Sequence, residues 1–245
     1  MTSSYWSLFA TRRRVPEKTL ELNVCENLLN MLRDRYPKAF LYGFSLRTEG
    51  EYGLDTNVVL PGGTHILCLQ FKSPIRRYDS RYVFEINNNR PKYDQHFKIL
   101  GTASRILSAG TPVLYAFPAI ASMHEMYTCS PRFLNRTFFV EPFVLTPPIR
   151  RRGNRHRVVL DTQRLTLTVR SEERTVRVLT WEDVLYRLRE RKIGFKFEDI
   201  RKGKENREYR PEFHDVLEAI DKDTRDFILK GGYRQSYRAL CIPSQ

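Results

Sequence analysis

Residues 53–72 read GLDTNVVLPGGTHILCLQFK, and their reading decides the fold. Two β-favouring runs, 54–60 and 65–72, flank the tight turn Pro61-Gly62-Gly63. So short a connection predicts an antiparallel hairpin. Asp55 stands at the start of the first strand, and Gln70 and Lys72 stand near the end of the second. Residues two apart on a strand share a face, so Gln70 and Lys72 point the same way. The short turn sets the start of one strand beside the end of the other, which brings Asp55 alongside them.

Upstream, residues 18–36 carry Leu22, Cys25, Leu28, Leu29 and Leu32 at helical steps, and 39–47 read as a strand. Glu49 to Gly53 reads as a turn. Downstream, residues 82–86 (YVFEI) are a short strand within a polar stretch. Residues 92–109 are helical by period and close at Gly110. Strands follow at 112–117 and 137–145, the second interrupted at Pro142. The expected order is α-β-β-β-α-β with a late strand, an α/β class with a mixed sheet.

The chain has 245 residues, 42 Lys plus Arg against 28 Asp plus Glu, 41% hydrophobic and 12% aromatic residues. That composition excludes a disordered linker, a collagen-like chain and a disulfide-stapled mini-protein. The net charge of +14 favours a polyanionic partner, nucleic acid first and an anionic membrane surface second. Cys25, Cys68, Cys129 and Cys241 form no C-x-x-C, and the histidines show no H-x3-H, so no zinc site is expected. Scattered cysteines suit a reducing compartment. The N-terminus is not a secretory signal in pattern, and the most apolar stretch, Thr111 to Met123, is proline-broken and too short to span a bilayer. The expectation is a soluble, cytoplasmic protein without a membrane partner.

Asp55, Gln70 and Lys72 on one sheet face suit metal-assisted phosphodiester hydrolysis. A carboxylate offers a hard oxygen to Mg²⁺. The metal generates hydroxide and offsets phosphate charge, and a lysine orients the water or steadies the transition state. On the first helix, at 100° per residue from Glu21, Leu28, Leu32 and Cys25 fall at about −20°, 20° and 40°, and Glu26 at about 140°. Glu21 thus lies on the apolar face, where a carboxylate needs a partner. A structural reading stands beside the catalytic one: an Asp opening a strand often serves a turn, and a strand lysine is often solvated.

On these residues the chain resembles the PD-(D/E)xK nuclease superfamily, over roughly residues 18–145. That family carries a Glu on the first helix, an Asp on the second strand and a Glu/Asp-x-Lys on the third. The matching positions are Glu21, with Glu26 as the alternative, Asp55, Gln70 and Lys72. Gln70 stands where the family has an acid, and the Q-x-K version is similar to that of Mrr-like restriction endonucleases. Leu54 stands in place of the Pro. The resemblance implies a restriction-endonuclease-like core and Mg²⁺ or Mn²⁺ held by Asp55 and Gln70, with Glu21 holding a second metal or a water. It implies DNA more than RNA as substrate, and a place in defence against foreign DNA with protein partners. The rival expectation is a degenerate nuclease fold that only binds nucleic acid or scaffolds a complex.

Pro147-Pro148 and the arginine run after it mark the expected boundary between a nuclease-like region, 1–146, and a small basic α+β region, 147–245. The second region should hold strands at 157–161, 165–170 and 175–180, a helix capped by Thr180 and another at 211–230. The two regions carry +6 and +8 when divided after residue 145, so both can face a polyanion. Arg150, Arg151, Arg152, Arg155 and Arg157 are phosphate-contact candidates. Arg201, Lys202, Lys204 and Arg207 form a weaker basic cluster near Tyr209. Gln95 and His96, opening the second helix, could touch a phosphate beside Lys72, while His96 also reads as a hydrogen-bonded core residue.

Overall fold

The structure is a computed structural model, which describes residues 14–34, 37, 39–43, 55–59, 66–88, 95–105, 113–145, 154–171, 173–190 and 193. The expectations placed on Glu49 to Gly53, Gly110, Arg150 to Arg152, the cluster near Tyr209 and the helix at 211–230 lie outside them. The class is mixed α/β, as expected. Among the described residues, two five-stranded sheets, one mixed and one antiparallel, are accompanied by five α-helices.

The first helix, α1 (Glu17–Arg33), follows Pro16, whose fixed φ favours a helix start. Glu17 in its first turn and Arg33 in its last complement the helix dipole. Its buried side chains are Leu20, Glu21, Val24, Cys25, Leu28, Leu29 and Leu32, a single stripe at steps of three and four. Strands β1 (Phe40–Gly43), β2 (Thr56–Val59) and β3 (Ile66–Phe71) follow as an antiparallel set. Next come β4 (Arg76–Tyr78) and β5 (Arg81–Asn88), joined by a two-residue turn. Asp79 adopts a φ of 51° there, which Asp tolerates better than most residues. Helix α2 (Gln95–Arg105) leads to β6 (Val113–Pro118), parallel to β3. Helix α3 (Met123–Cys129) and β7 (Thr137–Val140) complete the first sheet, in the order β1-β2-β3-β6-β7.

The strand expected at 137–145 is shorter than its apolar run. It stops at Val140, and Pro142 opens a short helix, α4 (Pro142–Leu145). Proline lacks the N–H that a strand ladder needs, but its fixed φ suits a first helical position. The short strand expected at 82–86 is longer, because its partner lies far away in sequence: β8 (Asn154–Asp161) pairs with β5 from Arg81 to Asn88. Strands β9 (Thr166–Val169) and β10 (Arg174–Arg177) extend the second sheet, ordered β10-β9-β8-β5-β4. Helix α5 (Trp181–Arg189) starts at the expected cap: Thr180 and Asp183 form a reciprocal capping box.

Two cores sit on opposite faces of the first sheet. On one face Leu67, Leu69, Phe71, Leu114 and Ala116 pack with the α1 stripe, and Trp181 and Val184 of α5 join them. On the other, Cys68, Tyr115 and Phe117 meet Tyr82, Phe84 and Ile86 of β5 and Val158 and Leu160 of β8. The segment boundary expected at 146/147 is crossed by both a sheet and a core. The end of the basic run, residues 154–157, is strand. Phe139 and Leu179 also exchange backbone hydrogen bonds of 2.8 Å across it.

A core shared in this way predicts one unfolding transition. Leu160→Ala, which hollows the shared core, should destabilise the whole described fold by about 2–5 kcal/mol. Urea denaturation followed by fluorescence and by amide exchange in β6 should give coincident midpoints. Loss of β8 protection with β6 unaffected would refute a common unit.

Candidate active site

β3 carries the site because its side chains alternate between the two cores. Leu67, Leu69 and Phe71 face α1, while Cys68 and Gln70 face the second sheet. Gln70 is fully buried there. A buried amide needs partners. Its Nε2 donates to Asp55 Oδ2 at 2.7 Å and to the Phe71 carbonyl at 3.1 Å. Two acceptors at one atom identify that atom as the nitrogen. Oε1 therefore points elsewhere, buried and without a hydrogen-bond partner.

Asp55 is fixed by the hairpin. Its N–H donates to the Leu69 carbonyl, and its Oδ2 accepts a second bond, from the Phe71 N–H, at 2.7 Å. Burial pushes its carboxyl up from 3.8 to about 7, against the attraction of Lys72, with Glu17 and then Glu21 adding to the rise. Desolvation outweighs one ammonium and one strong N–H donor here.

Lys72 continues the strand just past its end. Its N–H donates to the Ala116 carbonyl on β6 at 3.0 Å, and its side chain is almost wholly buried. The ammonium stands 3.8 Å from Glu17 Oε1. The other oxygen of Glu17 accepts from the Ser73 N–H at 3.0 Å, and the Ser73 hydroxyl donates to the Val15 carbonyl at 2.7 Å. Arg14 adds bonds to the Ser73 hydroxyl and carbonyl. The start of α1 is thus tied to the end of β3. Glu17 went unnoticed in the sequence, although its place four residues before Glu21 puts both on one helix face.

Glu21 is buried on the apolar stripe, and its Oε1 accepts from the Thr56 hydroxyl at 2.6 Å and from Lys18 at 2.9 Å. The alternative, Glu26, is exposed and belongs to neither core. Asp55, Gln70 and Lys72 therefore converge, with Glu17 and Glu21 as the helix carboxylates beside them. His96 is not a phosphate contact in this fold, because its ring has no exposed surface. Its Nδ1 bonds the Tyr115 hydroxyl at 3.0 Å and its ring stacks on Tyr115, the residue paired with Gln70. Burial, and then His156, lowers its pKa to about 4, so the core holds a neutral ring. Gln95 is half-buried. Arg155 and Arg157, expected as phosphate contacts in the run that marks the boundary, are exposed on the strand β8.

Among the described residues, no three His, Cys, Asp or Glu side chains gather as a metal group. The Asp55–Gln70 pair nevertheless fits a hard dication. It joins a half-buried carboxylate to an amide whose oxygen has no partner among the described residues, both ligand types that Mg²⁺ and Mn²⁺ accept.

The raised carboxyl makes a signed prediction for the metal-free protein. Below about pH 4 the folded and unfolded chains both hold the Asp55 proton. From there to about pH 7 only the folded chain keeps it, so stability falls as pH rises; above that it is level. Asp55→Asn should gain on the wild type across this window, by at most about 4 kcal/mol. Urea midpoints in EDTA at acid and neutral pH measure the gap. A constant gap would contradict the burial of the charge.

Compared with models of protein families, with curated proteins and with solved structures, the chain matches none of them.

Proposed function

We propose that the chain is a metal-dependent nuclease of the PD-(D/E)xK type, in its Q-x-K version, with DNA favoured as substrate. The observation that carries this reading is the bond from the Gln70 amide nitrogen to the Asp55 carboxylate, with Lys72 next on the same strand end and the buried Oε1 of Gln70 without a partner among the described residues. An apolar core hosts such an oxygen at a cost of about 1–3 kcal/mol unless something binds it. The mixed sheet with α1 on one face, and β3 parallel to β6, supports a restriction-endonuclease-like core as part of the same proposal.

Asp55 would hold Mg²⁺ or Mn²⁺, and Gln70 would join it with its amide turned so that Oε1 faces the carboxylate; the ion when bound supplies a hydroxide nucleophile at neutral pH and charge relief on the phosphate. Without the ion, the Gln70 amide nitrogen holds the Asp55 carboxylate in place. Lys72, fixed by Ala116 and facing Glu17, presents its ammonium to the water or to the negative charge that grows on the phosphate. Glu17 acts through Lys72 as a positioning residue. Glu21 is engaged by Thr56 and Lys18, so its part in this proposal is to hold α1 on the hairpin. A role in defence against foreign DNA rests on the family resemblance alone.

A second reading, a binding module that has lost catalysis, draws on one observation: Gln70 puts a neutral amide where the family has a carboxylate. Metal-dependent cleavage separates the two. The purified chain, incubated with plasmid, linear duplex, single-stranded DNA and RNA, should cleave with Mg²⁺ or Mn²⁺ and stop in EDTA. Lys72→Ala and Asp55→Asn should each lower the rate by at least about 10²-fold. Salt-sensitive binding with no cleavage under any metal would favour the second reading. Equal cleavage by the variants would sink the first.

A further inference from the structure

The second sheet has an inner face in the core and an outer face that, among the described residues, no core cluster uses, although Val83 and Val159, paired at its centre, are buried. Register sets that outer face. Tyr82, Phe84 and Ile86 of β5 point inward, so Arg81, Val83 and Glu85 point outward. Pairing carries the same face across all five strands. Arg76, Arg81, Arg155, Arg157, Arg170 and Arg177 stand on it, all exposed. Against these six arginines stand Glu85 and Asp161, with the exposed Glu173 across the β9–β10 turn from Arg170. Glu85 lies 3.8 Å from Arg157, and Asp161 lies 3.5 Å from Arg81. Tyr78 adds an aromatic side chain, 56% exposed, on the β4 edge.

We propose that this face binds the backbone of single-stranded nucleic acid and feeds it toward the site at Lys72. Charge gives the partner's sign. Shape gives its form: five strands at about 4.8 Å make a face about 19 Å wide, which cannot enter a major groove about 12 Å wide. An extended single strand can lie across it. Arg155 and Arg157, two residues apart on β8, set guanidinium groups about 7 Å apart along the strand. The ring of Tyr78 offers a stacking surface for a base. The face also begins close to the site. Arg76 follows Lys72 by four residues, no more than about 14 Å of chain. The inference deepens the proposed function and rests on its nucleic-acid part, not on catalysis.

The test uses the full chain in EDTA, so that binding is read without cleavage. A labelled oligo(dT) of about 20 nucleotides and a duplex of equal length are titrated by fluorescence anisotropy over a salt series. The triple variant Arg155→Ala, Arg157→Ala, Arg177→Ala should weaken oligo(dT) binding at least about 10-fold near 100 mM salt. It should lower the slope of log Kd against log salt by about 2. Glu85→Gln should tighten binding about two-fold or more, a gain that misfolding does not produce. If the wild type binds and the triple variant keeps its affinity and slope, the face is wrong while the proposed function stands. If the wild type binds no nucleic acid, both fall. A preference for duplex, or equal binding to phosphatidylserine vesicles lost in the same variant, would also overturn the assignment.

Discussion

The structure depends on one constraint: β3 is buried on both of its faces. Leu67, Leu69 and Phe71 belong to the core under α1, and Cys68 belongs to the core under the second sheet. A strand in that position has no solvent to satisfy a polar group. Placing Gln70 and Lys72 there forces the surroundings to answer them. Asp55, the Phe71 carbonyl and Glu17 are those answers, and each comes from a different local element. The hairpin supplies the first, the strand backbone the second and the helix start the third.

The same constraint explains why Gln70 and Lys72 are buried beside a half-buried Asp55. Asp55 is penalised for its charge by the very layers that fix its position. The cost is tolerable because the carboxylate takes two strong N–H donors on one oxygen. Such groups are favoured by selection for chemistry more readily than by selection for stability, since an apolar pair of similar volume would pack there without cost.

Much of the first sheet was legible in the sequence. The turn Pro61-Gly62-Gly63 set the pairing of β2 and β3 without any knowledge of the rest. The period of α1 placed Glu21 inside and Glu26 outside, as the structure has them. Glu17 was hidden because the helix was read as starting one residue too late, at a position where Pro16 already permits a helix. The second sheet was hidden for another reason. Its central ladder joins β5 to β8 across about seventy residues, and local periodicity carries no signal for a partner that distant. The arginines at 155 and 157 therefore read as part of a charged linker, although His156 and Val158 between and beyond them alternate as a strand should. His96 read two ways because a stripe position says that a side chain is inside, not what it meets there. Tyr115 decided it.

The long-range ladder between β5 and β8 also bears on how the chain is made. A ribosome releases β3 and its polar residues well before it releases β8. Until Asn154 to Asp161 has emerged, Phe84 and Ile86 have no partner sheet, and Gln70 lies on a face still open to water. The hairpin can pair early, and Glu17 and Ala116 can fix Lys72 before β8 is made, but the layer over Gln70 closes only late in synthesis. A nascent chain stalled before that point would hold Asp55, Gln70 and Lys72 and yet lack the second layer that encloses Gln70 in the finished fold.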